Sequence, residues 1–194
     1  MSAEWSAPGD LAVWFAIAGR ALASPDAAGG LREIAESLTA QRKAGTGVRE
    51  ELAALWAELP ADRQEAHREY VRLFLSPGSA PCPLWQSAHG EEPQLMGPSH
   101  HSAIEWYRSE GIEPGVENEP ADHASLLLVF FAHLLESGAP PEWRQRYWRE
   151  HLAWLPKVLA RVESETRLPF YARLARVTRE RLEEAGASFR QTPA

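Results

Sequence analysis

Cysteine is almost absent from this 194-residue chain. With Cys82 as its sole thiol, no intrachain disulfide can form, and nothing points to an oxidising compartment. Long apolar runs are missing as well. The longest, 126–135, is broken by His133 and falls short of the ~20 residues that cross a bilayer. Positive charge is scarce, with 20 Lys and Arg against 27 Asp and Glu and a net charge of -7. That balance removes the basic face that phosphate contacts require and argues against nucleic acid as a main partner. The stretch "LAVWFAIAGRALAS", ending near Ala21, Leu22 and Ala23, imitates a secretory leader. Glu4 and Asp10 precede it, no Lys or Arg does, and Arg20 interrupts it, whereas a leader needs a positive start. The expectation is an amphipathic first helix in a cytoplasmic protein without a membrane span.

Strand alternation is also scarce, and helical periodicity takes its place. Val48, Leu52, Leu55, Trp56 and Leu59 share one helix face, and Ala66, Tyr70, Leu73 and Phe74 repeat the pattern beyond Pro60. Trp148, Leu152, Leu155, Leu159 and Val162 form a third stripe, with Arg144, Arg146 and Arg149 largely off it as a solvated back. Pro156 within that segment either kinks or divides the helix. Phe170, Leu174 and Val177 line a last helix, for which Gly186 is a plausible stop. Hydrophobic residues make up 44% and charged ones 24%, as in a globular domain. Most of the eight tryptophans are expected in the core, with some free to line a pocket. The fold class is all-α: one helical-bundle-like domain over 1–194, of about 8–10 helices given a mean length of ~11–12 residues.

Two breaks interrupt the helices. Residues 76–99, "SPGSAPCPLWQSAHGEEPQLMGPS", hold five prolines and three glycines, so no regular element is expected there. Leu84, Trp85, Leu95 and Met96 suggest a loop that packs. The second break, 111–120, could act as a hinge. Cys82, between two prolines and with no basic neighbour evident, reads as inert.

The chemistry concentrates at "ENEPADHASLLLVFFAHLL", residues 117–135, where Asp122 and His123 stand at the mouth of the most apolar segment. One reading is a helix start, with Pro120 at the first helical position, Glu119 before it and Asp122 in the first turn. A second is a helical metal-dependent hydrolase in which His123 joins His100 or His101, with Glu105 one turn after His101. No HExxH and no paired metal-ligand spacing accompanies it. A third is an interaction adaptor. His133 reads as a core or rim histidine.

Three segments taken together resemble the cytoplasmic chaperones of the TorD/DmsD type, which mature molybdenum-containing oxidoreductases. They are the Tyr-x-x-Leu-Phe helix end (Tyr70, Leu73, Phe74), the proline-rich loop (Pro83, Trp85, Ser87) and the Glu-Pro-x-Asp-His helix start (Glu119, Pro120, Asp122, His123). Where the family often carries an aromatic residue after the loop serine, this chain reads "AHGEE". The resemblance implies an all-helical fold without catalysis. It implies binding of a client's twin-arginine signal peptide, and of the apo catalytic subunit of a molybdoenzyme, until cofactor insertion is complete. Those ten residues would form the client-binding site, Asp122 and Glu119 meeting guanidinium groups while Trp85, Leu73 and Phe74 take apolar side chains. His123 would orient the loop or the aspartate. The family is further associated with monomers or domain-swapped dimers, for which 76–99 and 111–120 are hinge candidates. No resident cofactor or metal is expected. A transient molybdenum-cofactor or nucleotide contact is associated with the family, but no GxxxxGK[ST] motif supports it.

Overall fold

The computed structural model describes residues 8–24, 31–41, 44–76, 80–90, 93–113 and 120–191. Among these it contains nine α-helices and no sheet, as the periodicity predicts. They are α1 (Pro8–Ala21), α2 (Leu31–Gln41), α3 (Thr46–Ala57), α4 (Arg63–Tyr70), α5 (Pro98–Ser109), α6 (Ala124–Glu136), α7 (Pro141–Tyr147), α8 (Leu155–Glu165) and α9 (Pro169–Gln191).

α1 and α6 form the central pair. Residues 12–19 of α1 are all buried, so this helix is apolar on every side rather than amphipathic, as a helix enclosed by others must be. Gly19 sets the distance between the two: a Cβ there would stand 2.6 Å from the Ser125 carbonyl oxygen of α6. Phe15 packs on Phe131 across the pair with ring centroids 5.4 Å apart. α8 and α9 form an antiparallel hairpin, and α9 touches α1, α3 and α7. Two large buried side chains of this core find partners for their polar atoms. Trp14 donates its indole N–H to Thr178 Oγ1 of α9 at 3.1 Å, and the Tyr70 hydroxyl donates to the Leu22 carbonyl at 2.9 Å.

The expected seams hold: Val48, Leu52 and Leu55 are buried, and so are Leu152, Leu155, Leu159 and Val162. Pro156 divides its segment, lying in the first turn of α8 where no N–H is lost. Gly186 is not a stop, because α9 continues to Gln191. A Cβ at that glycine would approach the Trp148 ring to 2.5 Å, so the residue permits a close crossing. The tryptophans mostly cover the core instead of filling it: Trp14 and Trp106 are buried, while Trp56, Trp143, Trp148 and Trp154 pack half-exposed against it.

Two wide turns of π-helix, Val71–Leu75 and Trp148–Leu152, extend α4 and α7. An extra residue per turn changes the phase of a helix, and such turns gather at functional sites. Both lead toward the proline-rich loop.

Candidate functional site

The 80–90 segment is packed, and it contains a short 3-10 turn over Gln86–His89 despite its prolines. It is held at both ends. The Cys82 N–H donates to the Leu73 carbonyl at 3.0 Å, fixing the loop to the end of the π-turn after α4. The Ala124 N–H donates to the Leu84 carbonyl at 2.7 Å, and the Gln86 N–H to the Asp122 carbonyl at 3.1 Å. These two bonds make an isolated antiparallel bridge between Trp85 and His123.

Asp122 lies under that bridge, 0% exposed, and its Oδ2 accepts the Ser87 N–H at 2.8 Å. A carboxylate this deep is tolerated only when hydrogen-bonded. The helix start differs from expectation. Residues 120–123 form a turn closed by the His123 N–H on the Pro120 carbonyl at 2.9 Å, and α6 begins at Ala124. His123 is therefore the N-cap: its Nδ1 accepts the Ser125 N–H at 3.2 Å and stands 2.7 Å from Ser125 Oγ. Its ring meets Trp85 edge-on, centroids 5.7 Å apart. Burial pushes the His123 pKa down to about 4 against the opposing pull of Asp122, so the ring is neutral at neutral pH.

The second π-turn grips the loop from the other direction. His151 Nδ1 faces Gln86 Oε1 at 2.9 Å while the Gln86 amide N–H donates to the Glu150 carbonyl at 2.7 Å. With Nδ1 as donor, His151 Nε2 accepts from Ser102 Oγ at 3.2 Å, which ties α5 to the same point. Burial likewise lowers the His151 pKa to about 4, outweighing Glu150 and Asp122. Glu150 and His151 escape a reading by 3.6-residue periodicity because both lie in the π-turn, where His151 is buried beside Leu152. No sequence signal marks that turn.

The structure thus joins Pro83, Trp85, Ser87, Pro120, Asp122 and His123 in one junction. Tyr70, Leu73 and Phe74 underpin it from within: all three are fully buried, so in this conformation they shape the loop anchor and offer no surface. Trp85 and Pro83 are the half-exposed members. Glu119 lies outside the described residues, as does most of the 111–120 break. Three residues of the junction each leave a buried polar atom without a hydrogen-bond partner: Trp85 Nε1, Ser87 Oγ and Asp122 Oδ1. Such atoms are uncommon in stable interiors, and others occur away from the junction, on Glu58, Trp143, Arg144 and Arg173.

The histidines of the hydrolase alternative are engaged elsewhere. His100 Nδ1 accepts the Ala121 N–H at 2.9 Å, and His101 Nδ1 faces the Gly97 carbonyl at 3.0 Å. Among the described residues no group of three His, Cys, Asp or Glu side chains is placed to hold a metal. His133 is a rim histidine, 3.1 Å from Glu110 Oε2. Cys82 has basic neighbours after all, Arg161 and Arg72, yet burial dominates and pushes its thiol pKa up to about 11. No helix among the described residues is long and apolar enough to cross a membrane.

Comparison with known proteins adds the following. A family model for the nitrate reductase delta subunit matches residues 30–160, about two thirds of the chain. The Tat proofreading chaperone DmsD of Salmonella typhi is 33% identical over 112 residues, which cover 57% of this chain and 55% of that protein. The chaperone protein TorD of Shewanella pealeana is 32% identical over 139 residues, 66% of this chain and 62% of that protein. The match therefore spans little more than half the length of these curated relatives. In fold, the chain is similar to a candidate redox enzyme maturation protein of Archaeoglobus fulgidus, with a TM-score of 0.60 and 24% identity over 91% of this chain and 93% of that one.

Proposed function

Because the chain belongs to the nitrate reductase delta subunit family, in which the TorD and DmsD chaperones fall, we propose that it is a cytoplasmic chaperone for a molybdenum-containing oxidoreductase. In this reading it binds the twin-arginine signal peptide of that client, and its apo catalytic subunit, while the cofactor is inserted. It works as a non-catalytic protein, either as a monomer or as a dimer exchanging elements across 111–120. The observation that carries the reading is the junction itself, a half-exposed Pro83 and Trp85 locked over a buried carboxylate that uses only one of its two oxygens. A peptide guanidinium reaches Asp122 Oδ1 only if the loop lifts, so recognition on this account couples peptide binding to loop opening.

Titration calorimetry with twin-arginine leaders and their Lys-Lys counterparts tests this, on wild type, Asp122→Ala and Asp122→Asn. Asp122→Ala should weaken a matching leader by tens-fold or more, since truncating one partner of a desolvated charge pair costs ~2–5 kcal/mol. Added salt should weaken binding too. Asparagine keeps an acceptor for the Ser87 N–H and removes the charge. Wild-type affinity in Asp122→Asn would reduce the aspartate to positioning the loop, and absence of binding to every leader would end the signal-peptide reading.

A further inference from the structure

The 80–90 segment is fastened in two different ways. At 82–84 the hold belongs to the core: Cys82 and Leu84 are both 0% exposed, and backbone bonds tie them to Leu73 and Ala124. At 86–89 the hold is polar and lies near solvent, for within that turn only Ser87 is buried. The two N–H groups that cover Asp122, those of Gln86 and Ser87, belong to this second half. Trp85, in extended backbone, separates the halves.

The Gln86 side chain fastens the second half to the π-turn after α7. Its amide donates to the Glu150 carbonyl at 2.7 Å, and its Oε1 faces His151 Nδ1 at 2.9 Å. Both partners are braced in turn. The Glu150 carboxylate accepts from Arg146 Nε and Trp106 Nε1, each at 2.8 Å, and His151 Nε2 faces Ser102 Oγ at 3.2 Å. His89 adds a contact of its ring at 2.8 Å with the Pro83 carbonyl and a stack on Trp154, centroids 4.8 Å apart. Lifting 82–84 would uncover apolar core, at a cost that grows with the area exposed. Lifting 86–89 exchanges hydrogen bonds within the protein for bonds to water, which is nearly balanced for each bond. It also hydrates Trp85 Nε1, Ser87 Oγ and Asp122 Oδ1, which have no partner while the turn is down. The half that covers the aspartate is therefore the half that opens at least cost.

We propose that Gln86 is the latch of this loop: its release from Glu150 and His151 lets 86–89 swing about Trp85, while 82–84 stays anchored, and uncovers Asp122 for a client's guanidinium. The motion stands on the contacts above, and only the identity of the ligand rests on the signal-peptide reading. Gln86 is thus a positioning residue that holds client affinity down, since a site open for a fraction of the time loses apparent affinity in proportion. Residue-resolved amide hydrogen exchange of the full chain tests the motion, and titration with the twin-arginine leaders tests its consequence, on wild type, Gln86→Ala and Gln86→Leu. Leucine keeps the bulk of glutamine and removes both side-chain bonds. In both variants the Ser87 amide should exchange about tenfold faster, the scale of two lost hydrogen bonds, while the Cys82 and Ala124 amides keep their wild-type rates. Leaders should bind both variants tighter by the same factor, an outcome that damage to the fold does not give. Wild-type exchange at Ser87 in either variant would overturn the latch, and acceleration of Cys82 and Ala124 together with Ser87 would overturn the hinge at Trp85. Faster exchange at Ser87 with leader affinity unchanged or reduced would overturn the gating of recognition. Faster exchange confined to the turn, with no leader bound by any variant, would remove the signal-peptide reading and leave the latch standing.

Discussion

Two histidines, His123 and His151, hold the proline-rich loop from opposite directions while neutral. Unfolded, each would titrate near 6.5; folded, burial brings each to about 4. Below pH 6.5 the unfolded chain therefore takes up protons that the folded one refuses. Their contribution to stability is complete above that pH and declines as pH falls toward 4, by at most about 1.4 kcal/mol per pH unit for each ring. Glu69 and Glu150 act lower on the scale. The hydrogen bond from Arg72 holds the Glu69 pKa below the usual 4.5, and bonds from Arg146 and Trp106 do so for Glu150 against the effect of its burial. Their stabilisation is lost only once the pH falls below that value. In the window from 6.5 to 4.5, the histidines decide among the shifted groups. Urea midpoints measured across it should fall with pH, and His151→Gln should flatten the slope by about half. An unchanged slope in that variant would mean that His151 is not held neutral in the folded state.

At the scale of the helices, two glycines resist to unequal degrees a substitution that helix propensity alone would favour by up to ~1 kcal/mol. At Gly19 a Cβ meets the Ser125 backbone oxygen at 2.6 Å and Val129 Cγ2 at 2.8 Å, and backbone inside the central pair cannot retreat. At Gly186 it meets the Trp148 ring, which can swing aside at the expense of its 3.2 Å bond from Nε1 to the Leu182 carbonyl. Gly19→Ala should therefore cost about 3 kcal/mol or more of unfolding free energy, and Gly186→Ala about 1 kcal/mol, within the range of overpacked cores. Urea denaturation gives both values, and a reversed order would contradict the packing described. These glycines also mark where sequence and structure part. Stripes such as Val48–Leu52–Leu55 are legible because each helix buries one face. α1 is misread because it is enclosed all round and has no polar face to reveal its period. Gly186 looks like a stop because a sequence shows glycine's freedom but not the indole that needs its lack of a side chain. Pro120 looks like a first helical residue, yet the turn at 120–123 moves that start to Ala124 and makes His123 the cap. The junction residues are legible as a set. Their burial is not, and the partnership of Gln86 with His151 depends on a π-turn that no periodicity announces.

The whole molecule is closed by contacts that ignore chain order. α1 is the partner of α6, Trp14 is bonded to Thr178, and the Tyr171 hydroxyl donates to the Ala66 carbonyl at 3.4 Å. Glu69 is 6% exposed at the end of α4. It accepts two bonds from Arg72, both at 2.8 Å, together with the Arg167 N–H at 2.6 Å and the Thr166 hydroxyl at 3.1 Å, and so clamps the α8–α9 connection to the first half of the chain. The loop junction itself joins residue 84 to residue 124. Buried hydrophobic residues from Ala12 to Ala185 accordingly form one cluster to which both halves contribute. Split between 113 and 120, the chain should yield two fragments that each lack a complete core and show little cooperative structure alone. Mixed, they should regain helical circular dichroism and a single unfolding transition, because the contacts that join the two halves among the described residues are non-covalent. A cooperative transition in residues 120–194 alone would show that α6 to α9 hold a core without α1, and that closure between the halves is not what stabilises the fold.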